Sequence, residues 1–292
     1  MKLIQSKVEL IEQGNSIEDV YKHIEICGRV CYKSEDKITE DSAKEFVDRL
    51  IKSGHGAMLE HGTVYLTIPL QSEKVYKYIT NPYSKVNTLT LDNTNGRAYI
   101  TTNYRVLVEN NWLDDLCYIC EPTDHHEKRI TVKFTCDRGV SHEFVRHRVF
   151  SFAQESTRFC NYNKDKFNNE ITFIIPSWLD IPEGQYTHWD GDWCDINNMK
   201  IQLAEGECKD IDAFLWVLNN ADLQYKLLLN IGWKPQQARQ ILPNALKTEL
   251  VMTGFESDWQ HFFNLRCAKD AHPDAQKLAN ELKELIYGSK EI

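Results

Sequence analysis

The sequence predicts an α+β fold in a single domain over residues 1–292, and three observations carry that expectation. Segments towards both ends of the chain repeat apolar residues every three or four positions, the period of an amphipathic helix. Shorter runs between them alternate apolar and polar residues, the period of a half-buried strand. No repeat, low-complexity tract or linker divides the chain, so one core is the simplest arrangement, and the length suffices to bury it.

Taken in order, Ile17, Val20, Ile24, Cys27 and Cys31 recur at helical spacing and predict a helix over 16–33. A second helix is expected over 41–52, stopped by the glycines of SGHG. EHGTVYLTIPL then alternates into a strand. Residues 81–129 are polar and irregular, with NPYSK and DNTNGRAY marking turns. In RITVKFTC, Ile130, Val132, Phe134 and Cys136 alternate with Thr131, Lys133 and Thr135, which predicts a half-buried strand. DRGV turns it into a helix running to about Arg148, and an extended segment is expected from Ser151, with Ser156 and Arg158 pointing to one side. Residues 177–208 are acidic and turn-rich and read as a peripheral insertion. Beyond them the chain reads as mostly helical. IDAFLWVLNNADLQYKLLLNIG carries a long apolar stripe, Pro235 opens a helix holding Arg239, and the stretch beginning ESDWQHFF gives two more.

Composition narrows the function. Hydrophobic residues at 42% and charged ones at 26% are ordinary for a globular protein. A net charge of −9 argues against a general nucleic-acid binder, whose affinity comes from neutralising phosphates. No stretch approaches the length of apolar chain that a membrane span requires, and the start of the chain does not resemble a signal peptide, so a cytoplasmic protein is expected. Nine scattered cysteines fit reduced thiols better than a disulfide framework. Cys117 and Cys120 form a CxxC followed by His125 and His126, but no second ligand pair stands at suitable spacing, so no metal is expected.

The chemistry is concentrated in DRGVSHEFVRHRVFSFAQESTRFCNY, residues 137–162, where Arg146, His147 and Arg148 lie between Phe144, Val145, Val149 and Phe150. Charge set among apolar residues is costly unless it is paired or meets a ligand, so the stretch is a candidate anion site. No GxSxG turn, Gly-rich phosphate loop or GxGxxG fingerprint is present. What remains is Arg146, Arg148, Arg158 and Ser156, a set suited to bidentate phosphate binding.

RHRVFSFAQESTRF resembles the signature of the flavin-dependent thymidylate synthases: Arg-His-Arg, seven residues, a serine, and an arginine two further on. IEICGRVCYKS, SGHGAMLEHGTVYLTI, ARQILPNALKTEL and FFNLRCAKDAHPDAQ are similar to further segments of that family, in the same order. The likeness weakens over 81–129 and 161–208, where this chain is expected to carry insertions. The resemblance implies a central, mainly antiparallel sheet flanked by helices. It also implies reductive methylation of dUMP to dTMP, with methylenetetrahydrofolate giving the carbon and FAD, reduced by NADPH, giving the hydride. A homotetramer with shared active sites is implied as well.

Carried over residue by residue, the resemblance places Glu143, Arg146, Gln154, Glu155, Ser156, Thr157, Arg158 and Arg239 against dUMP. It assigns His55, Ala57, Arg146, His147, Arg148, Gln154 and His261 to FAD, with Glu60 following His55 in its motif. Arg266 becomes the catalytic group, polarising the uracil; an arginine stays protonated and so stabilises developing negative charge rather than taking a proton. Glu143 stands where relatives can have glutamine, and Ala153-Gln154 where some have Asn-Glu, which leaves the roles of Glu143 and Gln154 open. Two other functions stay open at this level: a different nucleotide-using transferase or oxidoreductase, and a nucleotide-binding protein without catalysis.

Overall fold

Ser16 begins the first helix: its Oγ accepts the Asp19 N–H at 3.1 Å while the Asp19 carboxylate accepts the Ser16 N–H, a reciprocal cap. The computed structural model describes residues 1–90, 96–158, 160–162, 169–186 and 210–288. Helix α1, Ile17–Val30, lies inside the expected 16–33, and α2, Ser42–Lys52, stops at Gly54, whose φ of 69° favours glycine. Strand β3 occupies Thr63–Pro69 after a 3-10 turn over Gly56–His61.

Residues 81–129 are more regular than the sequence predicts. They hold strands β4, Lys85–Thr90, and β5, Gly96–Asn103, followed by helix α4, Tyr104–Glu109, with the short helix α3, Lys74–Ile79, before them. β5 is the middle strand of an antiparallel sheet in the order β3-β5-β4. Its Ala98 and Ile100 are fully buried with Val64, Leu66 and Ile68 of β3, beneath Val20 and Ile24 of α1. Residues 92–95 of DNTNGRAY lie outside the described residues; the strands on either side are hidden in the sequence by their Thr and Asn residues, several of which the fold buries.

The second sheet has the order β2-β6-β10-β7 and is antiparallel throughout, joining β2, Lys7–Leu10, β6, Arg129–Asp137, β10, Lys247–Phe255, and β7, Ser151–Gln154. β6 matches the predicted strand. β10 falls in a region that the sequence reads as helical, and the reason is physical: Leu250 to Phe255 are all buried, so no apolar–polar alternation marks them. Val251 packs with Cys27 and Val30 of α1, while Leu250 and Met252 pack on Trp259, Phe262 and Leu278 from helices α8, Glu256–Arg266, and α9, Pro273–Tyr287. Each such side chain contributes roughly 1.5–3 kcal/mol on burial. Both C-terminal helices stand where the sequence puts them.

A third sheet, β8-β1-β9, pairs β1, Lys2–Ile4, parallel to β8, Thr172–Ile174, and antiparallel to β9, Gly184–Gln185. Helix α6, Asp210–Asn230, packs Leu215, Leu218 and Tyr225 over it. The fold is thus α+β with mainly antiparallel pairing, distributed among the described residues over three sheets. Most of the acidic stretch over 177–208 falls on residues 187–209, outside the described residues.

A buried polar chain links α1 and the 3-10 turn before β3 to strands β6 and β10. His23 Nε2 meets Thr131 Oγ1 at 2.9 Å, Thr131 meets Thr253 Oγ1 at 2.8 Å, and His61 Nδ1 meets Thr253 Oγ1 at 2.8 Å. Burial, reinforced by the Arg129 charge, holds His23 down to about 4 and His61 down to about 3. Unfolded histidine titrates near 6.5, so the unfolded chain binds more protons as pH falls below that value. Stability from these residues is therefore complete above about 6.5 and declines towards pH 4, by about 1.4 kcal/mol per unit for each histidine. Melting temperature measured from pH 7 to 4.5 should fall steeply, and His61→Asn should flatten the slope; a flat profile in the unaltered protein contradicts this account.

Candidate active site

The end of β6 builds the site. Asp137 Oδ1 accepts the Val140 N–H at 2.8 Å and starts helix α5, Arg138–Phe144. The buried Phe144 ring ends the helix, held 4.9 Å from Phe134 and 5.1 Å from Phe262. Arg146, His147 and Arg148 come after the helix, in turns, and not on it as the sequence predicts. The turn separates what the sequence mixes: His147 goes inward and is 7% exposed, whereas Arg146 and Arg148 stay on the surface.

Arg266, the last residue of α8, closes over this turn. Its Nε donates to His147 Nε2 at 3.0 Å, its Nη2 donates to the Glu143 carbonyl at 2.7 Å, and its Nη1 pairs with the Glu143 carboxylate. Because the guanidinium is always a donor, His147 accepts through Nε2 and carries its proton on Nδ1. Burial pushes the His147 pKa down to about 4, with the charges of Arg266, His261 and Arg146 adding to the effect. At neutral pH the ring is therefore uncharged, and Arg266 keeps one orientation.

This fork lies on a cavity of about 670 Å³ whose lining includes Glu143, Arg146, His147, Arg148, His261 and Arg266. The volume lies within the range of small-molecule sites. Several cationic groups converge there with a neutral histidine, so negative charge developing on a bound ring would meet a preorganised donor.

A second cavity, about 330 Å³, opens on the other side of α5 and is lined by Arg138, His142, Thr157 and Arg239 among others. Successive residues His142 and Glu143 thus face different cavities. Arg239 stands in a 3-10 turn, Arg239–Ile241, after the four-residue helix α7, Pro235–Ala238, and its Nη1 donates to Thr157 Oγ1 at 3.1 Å.

Of the QEST segment only Thr157 lines either cavity, the second; Gln154, Glu155, Ser156 and the following Arg158 line neither. β7 ends at Gln154, so Ser156 and Arg158 lie in a turn and not in the extended run expected of them. Gln154 Nε2 donates to Ser141 Oγ at 2.9 Å, and Ser156 Oγ accepts the Arg158 N–H at 3.3 Å. Glu155 points inward: its carboxylate takes the Lys247 ammonium at 2.8 Å and the Tyr162 hydroxyl at 3.3 Å. Lys247 also reaches Glu249 at 2.8 Å, which Lys33 holds at 2.8 Å. Lys247 was not singled out in the sequence, since a lysine before an apolar run carries no signal of burial.

His55 and Ala57 are exposed around the turn between α2 and β3, and neither lines the two cavities. Glu60 pairs with Arg105 on a separate cavity of about 270 Å³. Cys120 lies 3.1 Å from Thr67 Oγ1 and 3.8 Å from His126 Nε2, and no cluster of His, Cys, Asp or Glu among the described residues is arranged to hold a metal.

The sequence family described as thymidylate synthase complementing protein matches residues 122–288, more than half of the chain and the whole of β6 through α9. The chain belongs to this family. Both cavities and the Arg266 fork lie within the matched residues, whereas His55, Ala57 and Glu60 precede them. Among relatives, the flavin-dependent thymidylate synthase of Geobacter sulfurreducens is 27% identical over 151 residues, 52% of this chain and 53% of that one. That of Pyrococcus abyssi is 29% identical over 157 residues, 54% of this chain and 53% of that one. The chain spans about half the length of these relatives. That of Corynebacterium aurimucosum aligns over 279 residues at 23% identity, covering 94% of this chain and 78% of that protein. A solved UMP/dUMP methylase, PolB from Streptomyces cacaoi bound with 5-Br dUMP, superposes with a TM-score of 0.42 at 16% identity, covering 98% and 92% of the two chains.

Proposed function

We propose that this family member catalyses the reductive methylation of dUMP to dTMP, with methylenetetrahydrofolate as carbon donor and FAD, reduced by NADPH, as hydride carrier. The observation that carries the reading is the Arg266 guanidinium, held by neutral His147 and by Glu143 on the wall of the 670 Å³ cavity. It is a rigid donor set for negative charge on a planar ring. Arg266 stabilises the charge that develops on the uracil as C5 takes up the methylene carbon, His147 keeps the fork aimed, and Arg239 with Thr157 holds the anionic end of the nucleotide.

The residues present fit a flavin: Arg146, Arg148 and His261 rim a cavity of suitable volume, and arginines beside the ring favour its anionic reduced form. When bound, the flavin supplies the hydride that completes the methyl group. His55 and Ala57 are exposed and away from these cavities, and Val149 and Leu265 leave apolar surface, 66% and 50% exposed, beside the charged rim. Both features support a homotetramer in which neighbouring chains complete each site. A cytoplasmic setting accords with the free thiols of the seven described cysteines, and no helix among the described residues is long and apolar enough to cross a membrane.

The test is spectroscopic. Purified protein supplied with FAD should show a bound-flavin spectrum that bleaches with NADPH under anaerobic conditions. A protein that retains no FAD contradicts the enzyme reading.

A further inference from the structure

We infer that Arg138 is a second guanidinium for the nucleotide's phosphate, acting with Arg239 and Thr157 in the 330 Å³ cavity; this rests on the reading of the protein as a dUMP-binding enzyme. The backbone presents Arg138 rigidly. Its N–H donates to the Asn244 carbonyl at 2.9 Å, and its own carbonyl accepts the Ser141 hydroxyl at 2.9 Å. Among the described residues its Nη1 is buried and has no hydrogen-bond partner. A guanidinium edge removed from water without an acceptor is costly, and such a cost persists where a ligand supplies the acceptor.

The surroundings say what kind of acceptor is missing. The cavity lining holds Arg138, Arg239 and His142 and no carboxylate. The neighbouring Asp137 accepts the Val140 N–H through Oδ1 in capping α5. Arg239 gives Nη1 to the Thr157 hydroxyl, which keeps the rest of its fork available to an anion from outside. Two arginines and a hydroxyl around one small cavity match the oxygens of a phosphate monoester, which accepts bidentate bonds from guanidinium. Arg146, assigned to substrate by the sequence, lines the other cavity. Arg138 thus supplies a positive charge that the sequence motif does not include.

The experiment measures binding of dUMP, deoxyuridine and inorganic phosphate to the full-length FAD-loaded protein, unaltered and as Arg138→Gln and Arg138→Lys. Loss of one charge-assisted contact should weaken dUMP binding by about 10- to 100-fold in Arg138→Gln, with a smaller loss in Arg138→Lys. Deoxyuridine binding and the flavin spectrum should not change, and inorganic phosphate should compete with dUMP in the unaltered protein but less well in the variants. Unchanged dUMP affinity in both variants overturns the role of Arg138 and leaves the proposed reaction standing. If the unaltered protein binds phosphate through Arg138 but not dUMP, the anion site stands and the reaction falls. If it binds neither, both fall. Should Arg138→Gln fail to fold, Arg138→Lys with phosphate competition decides the matter, since lysine keeps the charge and loses the fork.

Discussion

Arg266→Ala is expected to lower the turnover of thymidylate formation by about 10²- to 10³-fold, the usual cost of removing one preorganised donor from a developing anion. The variant should still fold. Arg266 sits at the rim of the core with its partner Glu143 29% exposed, so the freed carboxylate can rehydrate and the stability cost is about 1 kcal/mol. Arg266→Lys keeps the charge but cannot donate to His147, to the Glu143 carbonyl and to the carboxylate together, so an intermediate rate is expected. Steady-state kinetics beside a thermal melt separate the two effects. Normal turnover in Arg266→Ala would remove the role assigned to this residue.

Lys247→Ala should have the largest effect on stability. Lys247 is the common partner of Glu155, whose side chain is 2% exposed, and Glu249, whose side chain is 14% exposed. Leaving buried carboxylates without their cation costs about 3–5 kcal/mol, which lowers the melting temperature by about 10 °C. Burial opposes ionisation of Glu249, but the charges of Lys247 and Lys33 prevail and hold its carboxyl at about 2, below the ordinary 4.5. A lowered folded-state pKa contributes stability that is complete above the unfolded value and is lost as pH falls through the folded one. The gap between the unaltered protein and Lys247→Ala should therefore be widest near neutrality and should narrow below about pH 4.5. A gap that is constant from pH 7 to 3 would show that the carboxylates are not the cause. Loss of this network should also loosen the turn that carries Ser156 and Thr157, since Glu155 anchors it from below.

Much of this was legible in the residues themselves. Helices α1, α2, α8 and α9 each have one buried face, which leaves a period in the sequence, and strands β3 and β6 keep an alternation of apolar residues with Thr, Tyr or Lys although the fold also buries several of the alternate residues. β10 is buried on both faces and leaves none, and β5 is rich in buried threonines that read as polar loop. The arginine cluster was legible as an anion site, but its conformation was not. A single turn after Phe144 buries His147 and exposes its two arginine neighbours, and periodicity says nothing of such a turn. The contact between His147 and Arg266 spans 119 residues and depends on how α8 packs against α5. Arg138 and Lys247 lie in segments that the sequence singles out but at positions to which the motif gives no role; their significance lies in burial and in the partners that burial supplies or withholds.

The proposed reaction passes a methylene carbon and a hydride to dUMP at this site. Its most direct test is an anaerobic single turnover: enzyme with reduced FAD is mixed with dUMP and methylenetetrahydrofolate, and dTMP is quantified against oxidised flavin as both appear. The account predicts that they form together in equal amounts and that both slow alike in Arg266→Ala. Flavin oxidation without dTMP, or dTMP formed while the flavin stays reduced, would contradict it.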